Sequence, residues 1–188
     1  MTSVLEPLHG KSAAAAPTSP GRPLRVVAPP VRRHSGLVLF GFLVLCEAAG
    51  LLGVPFTARG SASWYDRLDK PPFNPPSWVF GPVWTTLYAL MAVSAWLVWR
   101  SHAVPPLRRE ALTVFAVQLV LNAVWTPIFF GAEHAGIALV VIVAMLLAIV
   151  AMIAMFGRVD RRAAWLNAPY LAWVSFATVL NASIVVLN

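Results

Sequence analysis

Charge is the scarcest property of this chain. Only 11% of its 188 residues are Asp, Glu, Lys or Arg, and 59% are hydrophobic; soluble domains carry about 25% charged residues. That composition excludes an ordinary soluble globular protein and points to a membrane protein with one compact domain. Cysteine is nearly absent. The lone Cys46 excludes an intramolecular disulfide and a Cys-based zinc site. The four histidines, His9, His34, His102 and His134, fall in the N-terminal tail or at helix ends, which leaves axial haem ligation by His with little support. There is no Gly-rich phosphate loop, no His or carboxylate pair at metal-ligand spacing, and no nucleophile beside a base, so no metal site is expected. No charged series follows any apolar run, which speaks against an ion pump. The net charge of +7 and a pI of about 10.8 suggest nucleic acid. The basic residues, however, gather in the tail and at helix ends without a nucleic-acid motif, so that partner is excluded.

What is present is a series of long apolar runs. About 20 apolar residues cross a bilayer core, and five runs meet that length, at about 35–56, 79–100, 107–130, 135–156 and 163–187. The expected fold is an all-α integral membrane protein, a five-transmembrane-helix bundle spanning residues 35–188. Residues 1–34 are rich in Ala, Pro and Arg and read as a disordered basic cytoplasmic tail. The prolines at 17, 20, 23, 29 and 30 oppose the amphipathic helix of a transit peptide. The first run exceeds the about 7–15 apolar residues of a signal peptide. Five spans put the termini on opposite sides. Eleven of the fourteen Lys and Arg lie in the tail and the second and fourth loops, against Arg59, Arg67 and Lys70 on the other side. This places the N-terminus in the cytoplasm and the first loop outside, given insertion into a bacterial cell membrane.

Polar residues inside the runs are few and therefore informative. Glu47 sits near the middle of the first span, where an ionisable group costs at least ~2.5 kcal/mol; it either makes a protonated bond to a neighbouring helix or serves function. In the second span Trp84, Tyr88, Met91 and Ala95 share a face, with Pro82 fitting its first turn. In the third, Gln118 and Asn122 share a face beside Trp125, either as helix–helix glue or as a cavity wall; Pro127 is expected to bend its end. The fourth is almost purely aliphatic and reads as packing. The fifth carries Tyr170, Trp173, Ala177 and Asn181 at helical spacing, with Pro169 expected to kink its start.

The first loop, 57–78, is the densest stretch. Pro71-Pro72 and Pro75-Pro76 stiffen it, and it carries Trp64, Tyr65, Phe73 and Trp78. Such a loop is an interfacial aromatic belt or a lid over a cavity between helices. Inward-facing Trp, Tyr, Asn and Gln beneath it would suit a large flat apolar ligand with polar edges. Tetrapyrroles match that description, and sterols or fused-ring drugs match it in part.

The stretch WYDRLDKPPFNPPSWVFGPVW, residues 64–84, resembles the signature of the translocator protein family, which includes the bacterial tryptophan-rich sensory proteins and their mitochondrial relatives. The resemblance continues through TTLYALM, QLVLNAVWTPIFFG and NAPYLAWVSFATVLN and covers about residues 36–187. It implies a five-helix bundle, a homodimer in the membrane lipid, and a cavity closed by the first loop. The implied ligands are protoporphyrin IX, haem and similar aromatic molecules, with no required cofactor. The implied roles are receptor or carrier in tetrapyrrole regulation and stress response, light- and oxygen-dependent degradation of protoporphyrin, or regulatory scaffolding. Carried over by motif, the ligand-binding residues are Tyr65, Trp84, Gln118, Asn122, Trp173 and Ala177. Trp84 and Trp173 are the catalytic residues under the enzyme reading. Phe73 departs from the Trp of many relatives, and the sterol motif is missing from 177–188. Glu47 and the tail match no family role.

Overall fold

The computed structural model describes residues 34–59 and 64–188; the expected tail lies outside them, apart from His34. Among the described residues there is no strand. The described residues form seven α-helices in five membrane-length spans: Ser35–Thr57, Ser77–Arg100, Pro105–Gly131, Ala135–Val159 and Arg161–Leu187. The chain is an all-α integral membrane protein of five spanning helices, multi-pass as its apolar runs require.

Prolines decide where the spans break. The first span is α1 (Ser35–Leu51) followed by α2 (Val54–Arg59). Pro55 cannot donate a helical bond to Leu51, and the chain tightens just before it, with Gly53 N donating to Gly50 O at 3.0 Å. A 3-10 turn, Ser77–Val79, leads into α3 (Phe80–Arg100), with Pro82 in its first turn. The third span is α4 (Pro105–Thr126) and then a π-helical turn, Pro127–Gly131. Pro127 withholds the amide that Ala123 O would accept. The turn widens, and Ala132 N donates to Pro127 O at 2.9 Å. The bend expected at Pro127 therefore takes the form of a π turn. The fourth span, α5 (Ala135–Val159), is unbroken and continues past the apolar run to Val159.

The fifth span is α6 (Arg161–Leu166) and α7 (Ala168–Leu187), parted at Asn167. Asp160 caps α6 by accepting from Arg162 N at 2.8 Å. Pro169 accounts for the break, because it cannot donate to Trp165 O. Asn167 turns inward, and its Nδ2 donates to Ser94 Oγ at 2.9 Å and Ala163 O at 2.8 Å. The break is thereby fixed to α3 rather than left as a loose hinge.

The closest packing is of α4 on α5, α1 on α3 and α5 on α7. The core where they meet is built from Met91, Ala95, Phe115, Met145, Ile149 and Phe156, all buried. Two glycines set how near the first span comes to its neighbours. Gly50 lies against the Tyr88 ring, and a Cβ on Gly53 would stand 2.8 Å from Thr126 Cγ2. At the opposite end, Trp96 Nε1 donates to Ser35 O at 2.9 Å, and the Arg100 guanidinium lies 4.5 Å above the Trp96 ring. The Trp96 bond holds the start of α1 to the end of α3.

Candidate functional site: an aromatic cavity beneath the first loop

The loop from Trp64 to Pro76 is held at several points. At its start, Trp64 and Tyr65 pack edge-on against Phe129 of the π turn, at 5.5 and 6.1 Å between ring centres, and Tyr65 lies 5.5 Å from Phe130. Further along, Phe73 meets Phe176 of α7 at 6.2 Å. Asn188, at the end of α7, holds the backbone of Asp69 on both sides: Asp69 N donates to Asn188 Oδ1 at 3.0 Å, and Asn188 Nδ2 donates to Asp69 O at 3.1 Å. Inside the loop, Tyr65 Oη donates to Asn74 Oδ1 at 2.9 Å, and Lys70 Nζ sits 4.7 Å above the Tyr65 ring. Burial pushes the Tyr65 phenol above its ordinary pKa; the bond to Asn74 opposes that rise and the Asp66 carboxylate adds to it. The phenol is therefore a hydrogen-bond donor throughout the neutral range.

Beneath this loop lies a cavity of about 990 Å³. Small-molecule sites span about 300–1,000 Å³, so the space matches a large ligand. Of the six residues expected to bind, Tyr65, Trp84, Asn122, Trp173 and Ala177 line it. They come from the loop, α3, α4 and α7, which are far apart in sequence. Gln118 does not line the cavity. It shares the α4 face with Asn122 but is fully buried behind Tyr170, whose Oη donates to Gln118 Oε1 at 2.8 Å. Gln118 Nε2 turns to Met91 Sδ at 3.7 Å.

Gln118 is instead the inner end of a chain of bonds. Tyr88 Oη donates to Asn122 Oδ1 at 2.6 Å, Asn122 Nδ2 donates to Tyr170 Oη at 3.0 Å, and Tyr170 passes its proton donor on to Gln118. Three helices are joined by it, and each buried group is satisfied. The chain supports the aromatic wall: Trp84 stacks on Tyr88 with centres 5.4 Å apart and planes at 29°, and meets Tyr170 edge-on at 6.3 Å. On α7, Trp173 packs against Phe80 at 5.7 Å and Phe176 at 5.5 Å. Its indole N–H is buried with no partner, although a buried indole donor normally has one. Deeper in, Asn181 accepts from Trp125 Nε1 at 3.3 Å and donates to Ala135 O at 3.0 Å.

Tyr88, Trp125 and Glu47 line the cavity without having been expected to bind, and Tyr170 supports it from behind through Asn122 and Trp84. Tyr88 and Trp125 were legible on their helical faces. Glu47, which lines the cavity with Gly50, Leu51 and Val54, was visible only as an ionisable residue out of place. No group of three or more His, Cys, Asp or Glu that could hold a metal occurs among the described residues.

A five-span helical membrane protein whose first loop closes an aromatic cavity is thus the class that fold and site define. The chain belongs to the TspO/MBR family, whose model matches residues 42–187. The tryptophan-rich protein TspO of Chlorobaculum tepidum is 40% identical over 148 residues, covering 77% of this chain and 91% of that protein. The tryptophan-rich sensory protein of Cereibacter sphaeroides is 39% identical over 147 residues, covering 78% and 89%. The translocator protein of Homo sapiens is 40% identical over 147 residues, covering 75% and 84%.

Proposed function

We propose that this protein is a membrane receptor or carrier that binds porphyrins, such as protoporphyrin IX or haem, and similar flat aromatic ligands in the cavity under its first loop. One observation carries the reading: Trp84 and Trp173, from different helices, line one cavity of about 990 Å³. Indole faces stack on a planar ring. Tyr65 and Lys70 at the lid would face the carboxylates of such a ligand. The biological role that follows is tetrapyrrole regulation or stress response. The proposal includes a homodimer in a bacterial cell membrane with the N-terminus in the cytoplasm, an orientation supported by the eleven-to-three division of Lys and Arg.

A second reading rests on the same pair of tryptophans: light- and oxygen-dependent degradation of protoporphyrin IX, with Trp84 and Trp173 as electron-rich partners of the excited ring. The test begins with a protoporphyrin IX titration of the purified protein in the dark, by tryptophan fluorescence quenching. It is repeated with Trp84→Phe and Trp173→Phe, then under light with absorbance followed over time. Saturable quenching that weakens in both variants supports the binding site. A new absorbing product that disappears in the variants turns the carrier into an enzyme. Absence of saturable quenching removes porphyrins as ligands.

A further inference from the structure

A carboxylate in the middle of an apolar span needs a compensating partner. Glu47 has none among the described residues: no hydrogen bond or ion pair reaches it there, and residues 35–58 contain no Lys, Arg or His. It is half-buried and forms part of the cavity wall, at the head of a stripe that continues through Gly50, Leu51 and Val54 at i+3, i+4 and i+7. The other charged residues of that wall, Asp66 and Lys70, belong to the loop. Lys70 Nζ is engaged there by Asp66 O at 3.3 Å, Leu68 O at 3.2 Å and the Tyr65 ring. Glu47 lies in α1, on the far side of the Leu52–Gly53 break from Thr57. The cavity thus carries a cation at its lid and an unmatched carboxylate deep in its wall.

The surroundings of Glu47 suit one chemistry. Gly50, on the next turn of the same face, touches the Tyr88 ring, and Trp84 stacks on that ring. Aromatic faces attract cations, and a carboxylate in an apolar wall binds an ammonium by a charge-assisted hydrogen bond. We infer that Glu47 makes this cavity selective for aromatic ligands that carry a protonated nitrogen, with a cationic N–H on the Glu47 carboxylate and the ring system against Trp84 and Trp173. The inference rests on the reading of the cavity as a site for flat aromatic molecules and adds a class of ligand to it. A neutral ring occupies the same space without its ionic anchor.

The test compares 9-aminoacridine, a planar aromatic cation at neutral pH, with acridine, a neutral ring system of the same shape. Both are titrated against the full-length protein in nanodiscs of zwitterionic lipid, so that anionic headgroups do not attract the cation. Protoporphyrin IX is titrated in parallel. Wild type should prefer 9-aminoacridine by about tenfold or more, the scale of one charge-assisted hydrogen bond. Glu47→Gln should erase that preference, so that the two acridines bind it equally. Equal binding of the two probes by wild type, or a preference that survives Glu47→Gln, overturns the inference while protoporphyrin IX binding keeps the cavity reading. Failure of wild type to bind any of the three overturns both. If Glu47→Gln does not fold, Glu47→Asp decides. A carboxylate withdrawn by one methylene should lower the preference, and an unchanged preference overturns the inference.

Discussion

Gln118 and Trp84 illustrate how two residues with similar claims on a site come to do different work. Both lie on inward faces of apolar spans. Trp84 lines the cavity, whereas Gln118 is sealed behind Tyr170, its carbonyl oxygen accepting from the tyrosine. Trp84→Ala should therefore weaken porphyrin binding by about 1–3 kcal/mol, as truncated aromatic anchors do, with little change in thermal unfolding. Gln118→Ala should do the reverse. It removes the acceptor of the buried Tyr170 hydroxyl, costing about 1–3 kcal/mol of stability, and shifts binding only through Tyr170. Thermal unfolding in detergent and quenching titrations on both variants check the contrast. Comparable losses of affinity would put Gln118 back on the wall.

Tyr65 supports a prediction in pH. Its folded-state pKa is raised, chiefly by burial, so the folded protein holds the phenolic proton more tightly than the unfolded chain does. The stability linked to that proton is complete below the ordinary phenol pKa of about 10 and falls as pH rises beyond it. A difference absorbance titration between wild type and Tyr65→Phe should reveal a phenol ionising above the ordinary range. Lid closure in Tyr65→Phe should respond less to alkaline pH. A phenol titrating at or below the ordinary value would mean that the loop leaves Tyr65 open to water.

Helices and loop differ in how much of them was legible beforehand. The five spans could be read from the length of the apolar runs, and the breaks near residues 127 and 169 from their prolines. The break at Leu52–Gly53 went unread, although Pro55 was present, because the run stays apolar through it. Facing could be read by periodicity for Trp84, Asn122, Trp173 and Ala177, and Tyr65 came only from the loop's resemblance to the family motif; the five line one cavity. Periodicity places a residue on one helix, but occlusion is decided by a neighbour: Tyr170 of α7 hides Gln118 of α4, and no local pattern encodes that meeting. The same holds for the lid, whose aromatic content was plain but whose fastening to Asn188 spans 119 residues. That fastening can be tested. Asn188→Ala removes two reciprocal bonds between α7 and the loop, each worth about 0.5–1.5 kcal/mol, with exposed bonds at the low end. Release of bound porphyrin, followed by stopped-flow quenching, should quicken about threefold to tenfold, with a smaller loss of equilibrium affinity. An unchanged release rate would mean that Phe73 on Phe176 and Trp64 on Phe129 hold the loop without it.

At the scale of the whole molecule, charge asymmetry and the single cysteine combine into one decisive experiment. The basic residues gather where the tail, the second loop and the fourth loop lie, which under the positive-inside rule is the cytoplasmic side. The lid would then open outward, and ligands would enter from outside the cell. Cys46 is buried in the core, so a Cys46→Ala background leaves no competing thiol. Ser77 and His102 are both exposed, at opposite ends of α3. In that background, Ser77→Cys should react with a membrane-impermeant maleimide on intact spheroplasts. His102→Cys should react only after permeabilisation. The reverse pattern would turn the lid to the cytoplasm and make the cell interior the source of the ligand, which changes the direction of any transport while leaving the cavity itself as it is. Labelling of both from outside would mean mixed insertion, a result the charge distribution opposes.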